Sequence, residues 1–525
     1  MGLILNLDII SEILNFLKYD QNSLHSCILL NTSWCKVAIP YLWKFVINDY
    51  YFQDANNKKS ALITRTIISC MTPQARETLR YNGIQLPFYP KKPLFNYPKY
   101  WRKLSPLQIE SMRRNILDNG EMKTRRQVAD DGRLRTNQYL EILVEKELYK
   151  LFISSCPNIH HLILSKYSLI KFPCLTRCLE FLRIFEYGDM KNYVNESLFS
   201  SIYSVRFLEL SEICHNVERL ILRKYNRYLE DNRGLVKFIQ SQRSLKFVEL
   251  EYHEGVTDKR NQIATTWTSL VETALISKSS SITHLSFKNG FCIKPESFTN
   301  LKFLKVHGIK IWSTGLSNSC HFPNLEILHV FHDDITPFNT YIDIISRTGK
   351  TLRSIVLEAI FTFEPSEDFI NYTRLITSKC PNLRFCSFFC TSDLMNVFPK
   401  DFEVFLETCK QLEGIILHLD DQVDQSRFFE ILANKAPDTL KLLLIDCNDE
   451  NWCFSSEALE SFFENWASRH LGLLSIFFCN DDAFSNEEYD IFQKYVNRGV
   501  VKLGRIDDID DIELLKEIEG TFEWA

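Results

Sequence analysis

From Cys156 onward one spacing of apolar positions keeps returning: an aliphatic or aromatic residue at the first, fourth and sixth places of a short window. It stands at Ile159-Leu162-Leu164, Leu179-Leu182-Ile184, Val217-Leu220-Leu222 and Leu245-Val248-Leu250. It returns at Ile282-Leu285-Phe287, Leu301-Leu304-Val306, Leu325-Leu328-Val330 and Leu352-Ile355-Leu357. The last four are Leu383-Cys386-Phe388, Leu412-Ile415-Leu417, Leu440-Leu443-Ile445 and Leu471-Leu474-Ile476. Val205-Leu208-Leu210 fits the spacing too but crowds its neighbour. The alternation that closes each window predicts a short strand. Between windows, 401–409, 426–435 and 456–469 carry helical periodicity.

Most windows recur at about 19 to 31 residues, the period of leucine-rich repeats. A strand followed by a helix cannot bury its apolar side alone, so neighbours stack into a solenoid with one continuous core. The expected fold is therefore α/β. A solenoid over 151–525, a curved parallel sheet with outer helices and a C-terminal cap, follows a short N-terminal helical unit. Side chains alternate faces along a strand, which puts Phe181, Arg183, Arg219, Arg223, Phe303, Lys305, Phe331, Phe385 and Phe389 on the concave side as candidate target-binding residues. Acidic pairs follow several late strands, at 333–334, 420–421, 449–450 and 481–482, either as a negative rim or as soluble loops. Cys156, Cys380 and Cys409 precede repeat anchors and read as small buried residues at helix ends.

The N-terminal unit, 1–48, has its own helical spacing. Ile9, Ile10, Ile13, Leu14 and Leu17 form one stripe, broken near Asp20; Leu24, Cys27, Ile28 and Leu30 form a second; Trp34, Val37, Ala38, Leu42 and Trp43 follow. Asn31-Thr32-Ser33 supplies a helix cap. So small a bundle buries little core alone, and its aliphatic surface needs either the downstream domain or a partner.

Residues 5–43 closely resemble an F-box. Leu5, Ile13-Leu14, Leu17, Leu24, Cys27, Leu30, Trp34 and Leu42-Trp43 stand in the order and spacing of that motif. The stretch departs at Asn6, where the family usually has proline with its fixed φ. The resemblance implies docking onto a Skp-type adaptor, and through it a cullin, by Leu5, Ile9, Ile13, Leu14, Leu17, Leu24, Leu30, Trp34 and Trp43. It further implies a divergent, fungal-type substrate receptor of a cullin-based ubiquitin ligase: a non-catalytic adaptor that holds a target protein on its repeats. A repeat scaffold not linked to ubiquitination is the alternative.

Residues 49–150 read as an irregular, partly helical connection. Helical spacing covers 61–79, a proline-rich aromatic strap covers 83–101, and a polar mobile loop is expected near 118–137.

Composition narrows the function. With 45% hydrophobic and 24% charged residues and a net charge of −5, the 525-residue chain lacks the basic excess of a nucleic-acid binder. Its 16 cysteines are too dilute for a disulfide framework and show no paired metal spacing, so a reducing cytoplasmic or nuclear compartment is expected. Asp8 and Glu12 interrupt the apolar N-terminus, which argues against a signal peptide, and no run is long enough for a membrane span. Ile344 occupies the place where a phosphate-binding loop ending in Gly349-Lys350-Thr351 would need glycine. No metal, cofactor, membrane, nucleic acid or catalytic residue is called for.

Overall fold

In the computed structural model the repeat is visible in the backbone itself. The residue after the first anchor of one repeat offers its carbonyl to two consecutive amides of the next. In the first part of the chain the Arg102 carbonyl accepts from His160 and His161, that of His160 from Arg183 and Ile184, and that of Arg183 from Glu218 and Arg219. Farther on the same clasp links Lys246 to Thr283, Thr283 to Lys302, Lys302 to Glu326, Glu326 to Arg353, Arg353 to Arg384, Arg384 to Glu413 and Glu413 to Lys441. This fixes register, and register decides which face each side chain takes.

The structure describes residues 6–18, 20–46, 58–86, 93–117, 125–126, 136–164, 175–188, 200–225, 233–252, 270–288, 297–307, 321–331, 338–348, 350–358, 366–419, 423, 426–447, 455–469, 472–478 and 486–505. The chain divides into two units, Met1–Tyr225 with Leu229–Leu245, and Asn226–Tyr228 with Lys246–Ala525. In the first unit, β1 (Ile84–Gln85) pairs antiparallel with β3 (Arg125–Arg126). Separately, β2 (Lys103–Leu104), β4 (His161–Leu164), β5 (Ile184–Tyr187) and β6 (Arg219–Tyr225) lie parallel in chain order.

In the second unit the parallel strands are β7 (Phe247–Tyr252), β8 (His284–Lys288), β9 (Phe303–His307), β10 (Ile327–Phe331) and β11 (Ser354–Glu358). They continue as β12 (Phe385–Cys390), β13 (Gly414–Leu419), β14 (Leu442–Cys447), β15 (Leu474–Phe478) and β16 (Val501–Arg505). Helices Ser426–Lys435 and Ser456–Ser468 match the periodicity read from sequence, and the third expected helix runs Phe398–Thr408. The second is started by Ser455, whose hydroxyl accepts from the Ala458 N–H. This is the strand-and-helix repeat of the α/β leucine-rich-repeat class.

Anchor positions form the core. Leu412, Ile415 and Leu417 are buried, as are Leu440, Leu443 and Ile445. Phe388 lies 4.6 Å from Phe405 and 5.1 Å from Phe402, ring centre to ring centre, so the strand seats on its outer helix through edge-to-face aromatics. The cysteines at helix ends are equally enclosed. Burial pushes the thiols of Cys214, Cys380 and Cys409 up to about 12, which makes them inert packing residues at neutral pH.

Five expectations change. The window at Leu179-Leu182-Ile184 is out of step, because Leu175–Leu179 is a short helix and the anchors are Leu182, Phe185 and Tyr187. The window at Leu471-Leu474-Ile476 is out of step by two, since Leu443 pairs with Ile476 and Ile445 with Phe478. Val205 to Leu210 lie in the helix Ser200–Ile213, so that spacing was a helical face. The parallel sheet already begins at β2, ahead of the expected boundary at 151, and β16 adds a strand after the last window. The loop near 118–137 is interrupted by β3; residues 118–124 and 127–135 lie outside the described residues.

Between helices Pro106–Leu117 and Asn137–Ser155, Arg113 holds Glu141 at 2.9 Å and Glu145 at 3.1 Å. Burial pushes the Glu145 carboxyl up to about 7, more than Arg113 pulls it back, and Glu110 and Glu141 add to the rise. A carboxyl raised above its unfolded value of 4.5 favours the folded state below that value and loses the advantage as pH climbs through 7. We predict that Glu145→Gln raises the thermal midpoint of the chain at pH 8 and leaves it unchanged at pH 4. An unchanged midpoint at pH 8 would contradict this.

Candidate docking surfaces

Three short helices make the N-terminal surface: α1 (Leu7–Phe16), α2 (Gln21–Leu30) and α3 (Thr32–Tyr41). Each is started by a capping side chain. Asn6 accepts from the Asp8 N–H, Asp20 from those of Asn22 and Ser23, and Asn31 from those of Ser33 and Trp34. Asn6 itself has φ −58°, within the range proline would impose, so the departure from the motif keeps the backbone and gains a cap.

Ile10, Leu14, Leu24, Cys27 and Ala38 form a small core, with Leu17, Ile28, Trp34, Val37, Tyr41 and Leu42 packed around it. The Ser11 and Tyr41 hydroxyls meet at 2.9 Å and brace α1 against α3. Trp43 is buried in an aromatic seam, 4.7 Å from Tyr97 and 6.1 Å from Trp101, which in turn lies 4.9 Å from Phe152.

The candidate adaptor residues therefore separate. Ile9, Ile13 and Leu30 are exposed, and Leu17 and Trp34 are half-buried. Leu14, Leu24 and Trp43 are corrected to packing residues, the first two in the helical core and the third in the seam. Leu5 lies outside the described residues. Phe16 and Leu29, 87% and 77% exposed, were not foreseen, although large apolar side chains at the ends of helices were the signal for them.

On the sheets, the clasp places equivalent residues one strand apart, about 4.8 Å, and the side chains there pair by charge. In the second unit Glu326 sits between Lys302 at 2.9 Å and Arg353 at 2.5 Å, and Glu413 between Arg384 at 2.5 Å and Lys441 at 3.5 Å. These residues each follow the first anchor of a repeat, a position readable in sequence but passed over for the concave ones. In the first unit Arg183 pairs with Glu218, while Glu186 accepts from Arg223 at 3.0 Å and has His161 at 3.6 Å. Gly188 permits that approach: a Cβ there would stand 2.7 Å from the Arg223 Cβ and 3.0 Å from its carbonyl oxygen.

The target-binding candidates separate in the same way. Arg183, Arg219, Arg223, Lys305 and Phe331 reach solvent to varying degrees, with the Lys305 ammonium 5.2 Å from the Phe331 ring centre. Phe181 is exposed, but in the turn before β5 and not on a strand. Phe303, Phe385 and Phe389 are corrected, since all three are buried.

The reason is local. Strands β11 and β12 pair only at Ser354–Phe385 and Ile355–Cys386, after which the Leu357 N–H donates to Ser387 Oγ at 3.1 Å. Phe389 packs there among Phe338, Phe369, Tyr372 and a stacked His418. The face away from the anchors is closed along β13 and β14 as well, where Ile416 and Leu444 are fully buried. The acidic pairs after the late strands lie outside the described residues.

No family model matches the chain, and no curated protein does. Among solved structures, the chain is similar to the leucine-rich repeat-containing protein LegL7 from Legionella pneumophila, at 12% identity over 71% of this chain and 94% of that one, with a TM-score of 0.20. Assignment to the repeat class rests on the strands and clasps themselves.

Burial raises the Glu413 carboxyl, but the hydrogen bonds and charges of Arg384 and Lys441 outweigh it and hold the group below 4.5. A carboxylate lowered in the fold adds stability above its unfolded value, lost as pH falls through the folded one. Pairs this exposed contribute about 1 kcal/mol or less. Glu413→Gln should lower the urea midpoint slightly at pH 7 and hardly at pH 3; an equal loss at both would show a packing role instead.

Proposed function

We propose that the chain is the substrate-recognition adaptor of a cullin-type ubiquitin ligase, acting in the cytoplasm or nucleus. Its N-terminal helices dock a Skp-type adaptor, and its repeats hold the target. One observation carries this reading: in a stretch that resembles an F-box, the helical unit encloses its own core yet leaves Ile9, Ile13, Phe16, Leu29 and Leu30 in solvent. Apolar side chains at such density on so small a unit are suited to a helix-in-groove contact. The chain does no covalent chemistry. It raises the local concentration of target lysines near activated ubiquitin supplied by other subunits.

The rival is a repeat scaffold whose helices serve only to cap the array. Burial of Trp43 against Tyr97 and Trp101 favours it, but that seam accounts for Trp43 and leaves Phe16, Leu29 and Leu30 uncovered.

Capture of a Skp-type adaptor by the full chain is the test, with Ile13→Asp/Phe16→Asp and Leu29→Asp/Leu30→Asp as variants. Exposed positions tolerate such changes with little loss of stability. Capture by the intact chain and loss in the folded variants is expected. Capture by none of the three, all folded, would refute the ligase reading and favour the scaffold.

A further inference from the structure

In the second unit the row after the first anchor runs Lys246, Thr283, Lys302, Glu326, Arg353, Arg384, Glu413, Lys441, and each carboxylate there is shared by two cations. The corresponding row of the first unit runs Arg102, His160, Arg183, Glu218, set side by side by the same backbone clasps. Here Glu218 pairs with Arg183. Lys103, His161 and Arg219 occupy the next place in their strands, and Arg223 lies farther along the last.

The Arg102 guanidinium donates to the carbonyls of Lys99 and Trp101, 3.0 Å each, so backbone holds it in place. The charges that act on His160 are those of Arg102, Lys44 and Arg183; after burial, they push its imidazole down to about 4. Lys44 is likewise lowered, first by burial and then by Arg102 and Lys18. Cations here crowd one another, and the side chains of Arg183 and Arg223 remain about half exposed.

We propose that this cationic face, with Lys44, Arg102, Lys103, Arg183, Arg219 and Arg223 around it, is a docking site for an acidic peptide segment of a partner protein. Carboxylates and phosphates are both met by such a face through charge-assisted hydrogen bonds. A peptide fits better than a nucleic acid. Glu186 and Glu218 stand among the cations and would repel a continuous phosphate backbone, while separate acidic side chains can be placed between them. In taking the bound protein to be the ubiquitination target, the inference rests on the reading above; the binding itself needs no adaptor.

The experiment titrates the full chain into short fluorescein-labelled peptides of glutamate and glycine, of phosphoserine and glycine, and of glutamine and glycine, beside an oligothymidylate of equal charge. Binding of either acidic peptide, absent for the glutamine peptide and weakening with salt, is expected. The preferred acidic peptide tells whether carboxylate or phosphate is the favoured group. Lys103→Gln/Arg219→Gln should lower its affinity roughly tenfold or more, with the thermal midpoint kept.

Equal binding of the glutamine peptide, unchanged affinity in the folded variant, or tighter binding of the oligothymidylate would each overturn the proposal. Adaptor capture on the same samples separates the two readings. Peptide binding without capture removes the ligase assignment alone, and capture without peptide binding removes this site alone.

Discussion

The main-chain clasp between successive repeats is the constraint on which the rest depends. One carbonyl accepts two consecutive amides of the next strand, from Arg102 to Arg183 in the first unit and from Lys246 to Glu413 in the second. Each clasp contributes little by itself, since a net intramolecular hydrogen bond is worth about 1 kcal/mol. Its effect is to remove freedom of register. Once register is fixed, anchors fall on anchors, and every buried Leu or Ile adds about 1.5–3 kcal/mol against its neighbour's helix. The same lattice forces residues after the first anchor into a row about 4.8 Å apart, where like charges repel and alternating ones do not.

That geometry explains why the two units present different surfaces. In the second, Glu326 and Glu413 each hold two cations of the row, and the face away from the anchors is buried along β12 to β14, so large apolar residues there stabilise the fold. In the first, Lys103, Arg219 and Arg223 add their charges to Arg102 and Arg183 of the row, and the same unit carries helices whose apolar residues stay exposed. The two features suited to partners, an apolar helical surface and a cationic sheet face, thus belong to the same unit.

Much of this was legible in the sequence, because the anchors are spaced by a geometry that tolerates few substitutes. All but two of the regular windows became a strand at its expected register. The one at Leu182 failed because a five-residue helix, Leu175–Leu179, ends in a leucine that mimics an anchor. The last failed because Leu474, Ile476 and Phe478 alternate so evenly that Leu474 passes for the second anchor, where Ile476 stands. Strand β16 was hidden because Arg505 stands where the third anchor is usually apolar. The docking surfaces were less legible. Alternation tells which way a side chain points but not what covers it. Thus Phe385 and Phe389 were read as open, and Leu14 and Leu24 as contact residues, when each is enclosed by its own neighbours. The charge row was less legible still, since its meaning lies in pairing across repeats some 24 to 29 residues apart.

Hydrogen exchange of the full chain, with and without a Skp-type adaptor, tests the central claim most directly. The account predicts new protection confined to α1, α2 and α3, with the repeat strands unchanged. Protection on the repeats with none on the three helices would contradict it.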